Sequence, residues 1–393
     1  MDDITYHLEN SAQFWEKLDE ILARGVENQA SALCSIDLYI KFVSSFQDEF
    51  LENEMELMDC CYKLLVSPIY QSFSDVVIDR VIQRASKQTD VKELFLLYNI
   101  LFLAGKESKK IFAKMMCVRE QNFVSKLKNH IYMNKVDNRL QQISIQLLFE
   151  ICYVQRLTPS ELNLIDESFL NYLLDMVENT RNDDDEMFNY SIIRLILSFN
   201  EQFLLTCSQI EDVDWNPNTV LRVLGARIGS SKTFGENLIF MLNRAVDHHI
   251  QMLILKLLYV LFNTPETFEF FYTNDLRVLI DVFIRELYDM PEESETLRHA
   301  FLRVLCPLIT NTQLFQYRYK HQQIHNLLLD LNGSTTKQFK PVSPKTQSLV
   351  NKCLKADYFG NGITRNPTPN ALVSGMDITV NTNSSNGNGL TVN

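Results

Sequence analysis

The stretch DLRVLIDVFIREL, residues 275–287, decides the fold. Its apolar residues Leu276, Leu279, Ile280, Phe283 and Leu287 fall at i, i+3, i+4, i+7 and i+11, the spacing of one face of an α-helix. Strict alternation, the mark of a half-buried strand, is hard to find here or elsewhere. Outward from this stretch the helical period recurs over about 30–48, 70–86, 90–104, 108–133, 137–155, 160–178, 186–207, 236–247, 249–263 and 315–331. Short connectors such as RLTPSE, NTRNDDDE, VDWNPN and NTPET join these segments, several with Ser, Thr, Asp or Asn placed to cap the next helix.

Glycine and proline divide the chain. Residues 1–331 hold five of the eleven glycines and six of the ten prolines, and the last 62 residues hold the rest. Few chain breakers in a long body favour long helices. A succession of amphipathic helices with short joints is the pattern of an all-α solenoid of the armadillo or HEAT kind, in which each helix pair buries its face against its neighbours. We therefore expect one helical domain over 1–331 and a polar, disordered tail over 332–393, with PKTQSLVNKCLKA at 344–356 forming a last short helix.

Charge narrows the function. The net charge of −12 argues against nucleic-acid or anionic-membrane binding, which need a basic surface. Residues 332–393 carry six basic residues against two acidic ones, a balance of +4, so −16 falls on residues 1–331. The eight cysteines are scattered, mostly inside apolar runs and without a CxxC pair, which fits reduced thiols better than disulfides or a zinc site. The most apolar stretches, 94–105 and 250–262, fall short of the ~20 residues that span a bilayer. The expectation is a soluble cytoplasmic protein.

The joint after the opening helix, RELYDMPEESETLRHAFLRVL at 285–305, gathers carboxylates beside a histidine, as general acid–base chemistry requires. A second reading is a helix hairpin. Asp289 and Pro291 would end one helix and start the next, with Glu292, Glu293 and Glu295 near its positive end. Leu297, Phe301, Val304, Leu305 and Leu308 would form the buried face, with Arg298 and His299 on the flanks. The hairpin accounts for more of the residues than catalysis does.

Other motifs fail on spacing. GARIGSSKTFGEN at 225–237 has the composition of a phosphate loop, but Gly225 and Gly229 are too close, two serines separate glycine from Lys232, and the preceding residues read as helix; a flexible inter-helix loop is the better account. His321 and His325 lie one helical turn apart without the glutamate or third ligand of a metal site, and His248 and His249 point apart on a helix. No catalytic residue, cofactor or metal is expected, and the protein reads as a non-enzyme.

FNEQFL at 199–204, SSKTFGENLIFMLNR at 230–244 and ILKLLYVLFNTPETFEFFYTNDLRVLIDVFIRELYDMPEESETLRHAFLRVLCPLITNTQL at 254–314 together resemble the leucine-rich helical domain of the WISH/DIP/SPIN family. The resemblance implies an armadillo-like protein that binds the Arp2/3 complex and activates it without a pre-existing actin filament or delivered monomers. Linear seed filaments at cortical actin patches and endocytic sites would result. Monomer-delivering activators end in an acidic tail with a tryptophan, whereas residues 332–393 contain no tryptophan and are basic. A generic helical scaffold or adaptor of the cell cortex is the rival reading.

The expected contact surface is the outward face of the 275–305 hairpin. Arg277, Asp281, Arg285 and Tyr288 recur at helical spacing off the Leu276–Leu287 face, and Glu292, Glu293 and Arg298 lie at the joint. An Asp281–Arg285 pair within the helix is the bland alternative use of that face.

Overall fold

Asn10, Asn28, Asn53, Ser67, Asp90, Thr158 and Ser343 each accept a hydrogen bond from a backbone N–H of the turn that follows, which starts a helix at each position. Proline occupies the first helical position after Ser67, Thr158 and Ser343. A computed structural model describes residues 7–25, 27–118, 122–133, 138–179, 186–207, 218–245, 247–333 and 342–359. Within these residues lie α1 (Ser11–Leu22), α2 (Gln29–Phe50), α3 (Glu54–Val66), α4 (Pro68–Lys87), α5 (Val91–Glu107), α6 (Lys110–Met116) and α7 (Phe123–Met133). They continue with α8 (Asn138–Val154), α9 (Pro159–Leu162), α10 (Glu167–Asn179), α11 (Glu186–Cys207), α12 (Thr219–Ala226) and α13 (Lys232–Arg244). The last are α14 (His248–Asn263), α15 (Thr273–Asp289), α16 (Glu295–Asn311), α17 (Leu314–Tyr317), α18 (His321–Leu331) and α19 (Pro344–Leu354). No strand occurs among the described residues.

The described residues fall into two compact units, one drawn from 1–202 and 222–254, the other from 203–221 and 255–393. In the first, α1 packs on α2, α2 and α3 on α4 and α5, α5 on α6 and α8, α7 on α8, and α10 on α13. The Phe14 ring stacks on Phe42 at 5.2 Å between centroids, and the Tyr39 hydroxyl donates to the Cys60 carbonyl at 2.8 Å. Residues Leu94 to Leu101 of α5 are all buried, so this helix is covered on every side. In the second unit α16 packs on α15, α17 and α19, while α18 packs on α15 and α19. Helices that lie against near neighbours in the chain make each unit an all-α array of the expected class.

Several boundaries differ from the sequence reading. The segment 108–133 holds two helices, α6 and α7; 160–178 holds α9 and α10; and 315–331 holds α17 and α18. Between α17 and α18, Arg318 (φ 47°) and Lys320 (φ 51°) adopt left-handed conformations without being glycine, so no sequence signal marked the break. The loop expected over 225–237 is confined to residues 227–231, because α12 and α13 take the rest.

The packed chain also continues past 331. The helix expected at 344–356 is α19, and its Val350 and Cys353 are buried, as is Tyr358 beyond it. The tail of 332–393 is thus structured over 342–359, while residues 334–341 and 360–393 lie outside the described residues. No described helix is long and apolar enough to cross a membrane.

Candidate partner-binding face

α15 buries Leu276, Leu279, Ile280, Val282, Phe283 and Leu287, and the Phe283 ring meets Phe301 of α16 edge-on at 4.9 Å. This seam fixes which side of α15 faces outward. Arg285 and Tyr288 are exposed there, the tyrosine by 51%, and so is Val278 by 51%. Arg285 pairs with Glu286.

Of the seven expected contact residues, Asp281, Arg277 and Arg298 are engaged by groups beyond their own helix turn. Asp281 forms an ion pair with Lys320 at 2.9 Å and accepts from the Tyr319 hydroxyl at 3.2 Å. The Arg277 guanidinium is half-buried, 5.7 Å from the Tyr319 ring centroid and 6.0 Å from that of Tyr317. Arg298 donates to the carbonyls of Pro291 at 2.9 Å and Met290 at 3.1 Å, which clamps the joint. Glu292 and Glu293 are exposed at that joint. The exposed part of the face is Arg285, Tyr288, Glu292 and Glu293, with Val278 added, and Arg285 and Glu292 also have interactions within the fold. Val278 escaped the sequence reading because it is apolar, although its position off the Leu276–Leu279 face was visible.

The joint itself differs from the expected first turn. α16 begins at Glu295, so Pro291, Glu292 and Glu293 precede the helix and only Glu295 lies in its first turn. His299 is buried rather than on a flank, and its Nε2 lies 2.9 Å from the Thr346 hydroxyl of α19. Burial pushes the His299 pKa down against the opposing pull of Glu295, 3.4 Å away. A hydrogen bond from Ser343 holds the Glu295 carboxyl below its ordinary value. The acid–histidine pair that suggested chemistry is a fastening between α16 and α19.

The rejected motifs are also explained. At the start of α13 the amides of Thr233 and Phe234 donate to the Glu178 carboxylate at 3.0 and 2.9 Å. A protein carboxylate thus occupies the place where a phosphate loop would hold its anion. His321 and His325 face the Phe359 ring at 5.3 and 5.5 Å. Among the described residues no cluster of three His, Cys, Asp or Glu could hold a metal ion.

Residues 185–324 match the model of the SPIN90/Ldb17 leucine-rich domain, a span that contains all of α15 and α16. The chain is 32% identical over 321 residues to Protein dip1 of Schizosaccharomyces pombe, a match covering 79% of this chain and 84% of that protein. It is 28% identical over 418 residues to Protein LDB17 of Saccharomyces cerevisiae, covering 90% and 82% respectively. It is 25% identical over 380 residues to Protein LDB17 of Eremothecium gossypii, covering 88% and 81%. Among solved structures, Kap121p bound to Nup53p aligns with 91% of this chain and 39% of its own, at a TM-score of 0.26 and 12% identity. Overlap that low leaves the fold class resting on the helices themselves. With 32% identity to Protein dip1 across 79% of this chain and 84% of that protein, the protein belongs to the SPIN90/Ldb17 family, also called WISH/DIP/SPIN.

Proposed function

We propose that the protein is a non-enzymatic activator of the Arp2/3 complex, working without a pre-existing filament and without delivering actin monomers. Family membership carries this reading, and the open face of α15 and its joint lies inside the family-matched span 185–324. An exposed tyrosine and arginine beside two glutamates suit a protein contact, because aromatic and arginine side chains supply most interface energy.

The mechanism is differential binding. An activator shifts a two-state complex only by the difference between its affinities for the two states. The protein would hold the complex in its filament-like arrangement and so nucleate linear seed filaments at cortical actin patches and endocytic sites. No bond is made or broken.

A pyrene-actin assembly assay with purified Arp2/3 complex tests this. The protein should shorten the lag only when the complex is present. An unchanged lag with the complex, or an equal shortening without it, would exclude the proposal.

A further inference from the structure

A cavity of about 270 Å³ opens in the first unit, where the end of α5, the start of α6, the end of α8, the middle of α11 and the start of α14 meet. Its charged lining is Lys106, Lys109, Glu150, Arg194 and Asp247. Two of these cancel, since the Lys106 ammonium pairs with the Glu150 carboxylate. Asp247 accepts from the backbone N–H of His249 at 2.8 Å and so serves the start of α14.

Among the described residues no carboxylate pairs with either remaining cation. The Nε of Arg194 is buried without a hydrogen-bond partner. Lys109 is exposed and lies over the Tyr153 ring, 4.2 Å from its centroid. Phe149 stacks on Tyr153 with its plane tilted by 6°, so an aromatic surface adjoins the two cations. A buried guanidinium Nε without a partner is costly, and the planar fork it belongs to matches a carboxylate.

We propose that this cavity receives a carboxylate side chain from an acidic segment of a protein partner, with Arg194 and Lys109 as its counter-ions and Tyr153 as its floor. Charge balance decides the occupant. Lys106, Lys109 and Arg194 exceed Glu150 and Asp247 by one positive charge, which a single carboxylate neutralises. A phosphoryl dianion would leave the site negative beside two fixed carboxylates, and such unbalanced charge selects against it. The cavity is below the ~300 Å³ of ordinary small-molecule pockets, which fits one side chain rather than a nucleotide. The site is on other helices than the α15 face, so its test does not depend on which partner that face binds.

Fluorescence anisotropy with a fluorescein-labelled hexaglutamate peptide and the full chain at low salt provides the test. Saturable binding is expected despite the chain's net charge of −12. Arg194→Gln combined with Lys109→Gln should weaken it tenfold or more and leave the thermal midpoint nearly unchanged, because neither side chain has an ion pair to lose and the Lys109 contact with the Tyr153 ring is at an exposed site. Lys232→Gln with Lys352→Gln, which removes the same charge elsewhere, should change affinity less than twofold. Should the pocket variant melt early, Lys109→Gln alone should still cost about threefold, as expected for one exposed charge contact. Absence of saturable binding, equal loss in both double variants, or unchanged affinity in the pocket variant would overturn the proposal. Tighter Arg194-dependent binding of a phosphoserine peptide of equal charge, or of phosphatidylserine vesicles, would overturn the choice of a carboxylate.

Discussion

His130 shows how a single side chain ties stability to pH. It sits against the buried Tyr98, whose hydroxyl lies 3.2 Å from its Nδ1, and close to Lys126. Burial, and secondarily the Lys126 charge, lower its pKa from 6.5 to about 4. The unfolded chain therefore takes up a proton near pH 6.5 that the folded chain refuses until about pH 4. Stability from this group is complete above pH 6.5 and declines as pH falls toward 4, by no more than about 1.4 kcal/mol per pH unit. Urea midpoints measured from pH 7 to 4.5 should fall less steeply for His130→Asn than for the native chain, with His299 and His321, whose pKa values burial also lowers, adding to the slope in both proteins. Parallel curves for the two proteins would show that His130 titrates normally.

Neighbouring Lys126 marks the limit of reading residues one at a time. Its ammonium donates to the carbonyls of Gln88, Ala85 and Ser86 at 2.7, 2.8 and 2.9 Å, and so closes the end of α4. Nothing in KLKNH distinguishes that lysine from Lys128, which instead donates to the Leu164 carbonyl and pairs with Asp166, each at 2.6 Å. The same holds on the candidate face. The apolar period of α15 correctly separated the buried side from the outward side, but Asp281, Arg277 and Arg298 are engaged by Lys320, by the rings of Tyr317 and Tyr319, and by joint carbonyls. Helical spacing reports which face a residue is on, and not whether a distant segment has already claimed it.

At the scale of elements, the long helices α2, α5, α8, α11 and α14–α16 were legible because each repeats its apolar face over three or more turns. α1 and α3 were not delimited, and three long segments proved to be pairs, since the short breaks at 117–122, 163–166 and 318–320 hardly disturb the period. The place of α19 was the larger omission. Basic, proline-started and next to a polar tail, it nevertheless seals α16 through His299–Thr346, and the Tyr358 hydroxyl donates to the Tyr319 carbonyl at 2.9 Å. A chain ending at Gly333 should therefore lose the burial of Val350, Cys353 and Tyr358, a cost on the order of 5 kcal/mol at ~1.5–3 kcal/mol per side chain. Thermal melting checks it. A midpoint unchanged by the truncation would mean that α19 is an ornament on the unit and not part of it.

The open face makes its prediction at the same scale. Arg285→Glu with Tyr288→Ala should leave the melt nearly unchanged, since exposed substitutions usually shift stability by less than ~0.5 kcal/mol. Pull-down of the Arp2/3 complex should weaken, with more than ~1 kcal/mol lost for each true contact. Arg277 is unsuited to this test, because reversing its charge would also disturb its packing on Tyr317 and Tyr319. Undiminished pull-down with an unchanged melt would remove this face from the interface.

At the scale of the whole molecule, the proposed activation rests on folded protein acting by affinity alone. A protein that neither needs an existing filament nor carries monomers should start filaments that have no mother. Single-filament fluorescence microscopy of labelled actin with Arp2/3 complex, in the presence and absence of this protein, observes this directly. The added filaments should appear in solution, unbranched, and in numbers that rise with the concentration of the protein. New filaments growing almost entirely as branches from older ones, or an unchanged number of filaments, would contradict it.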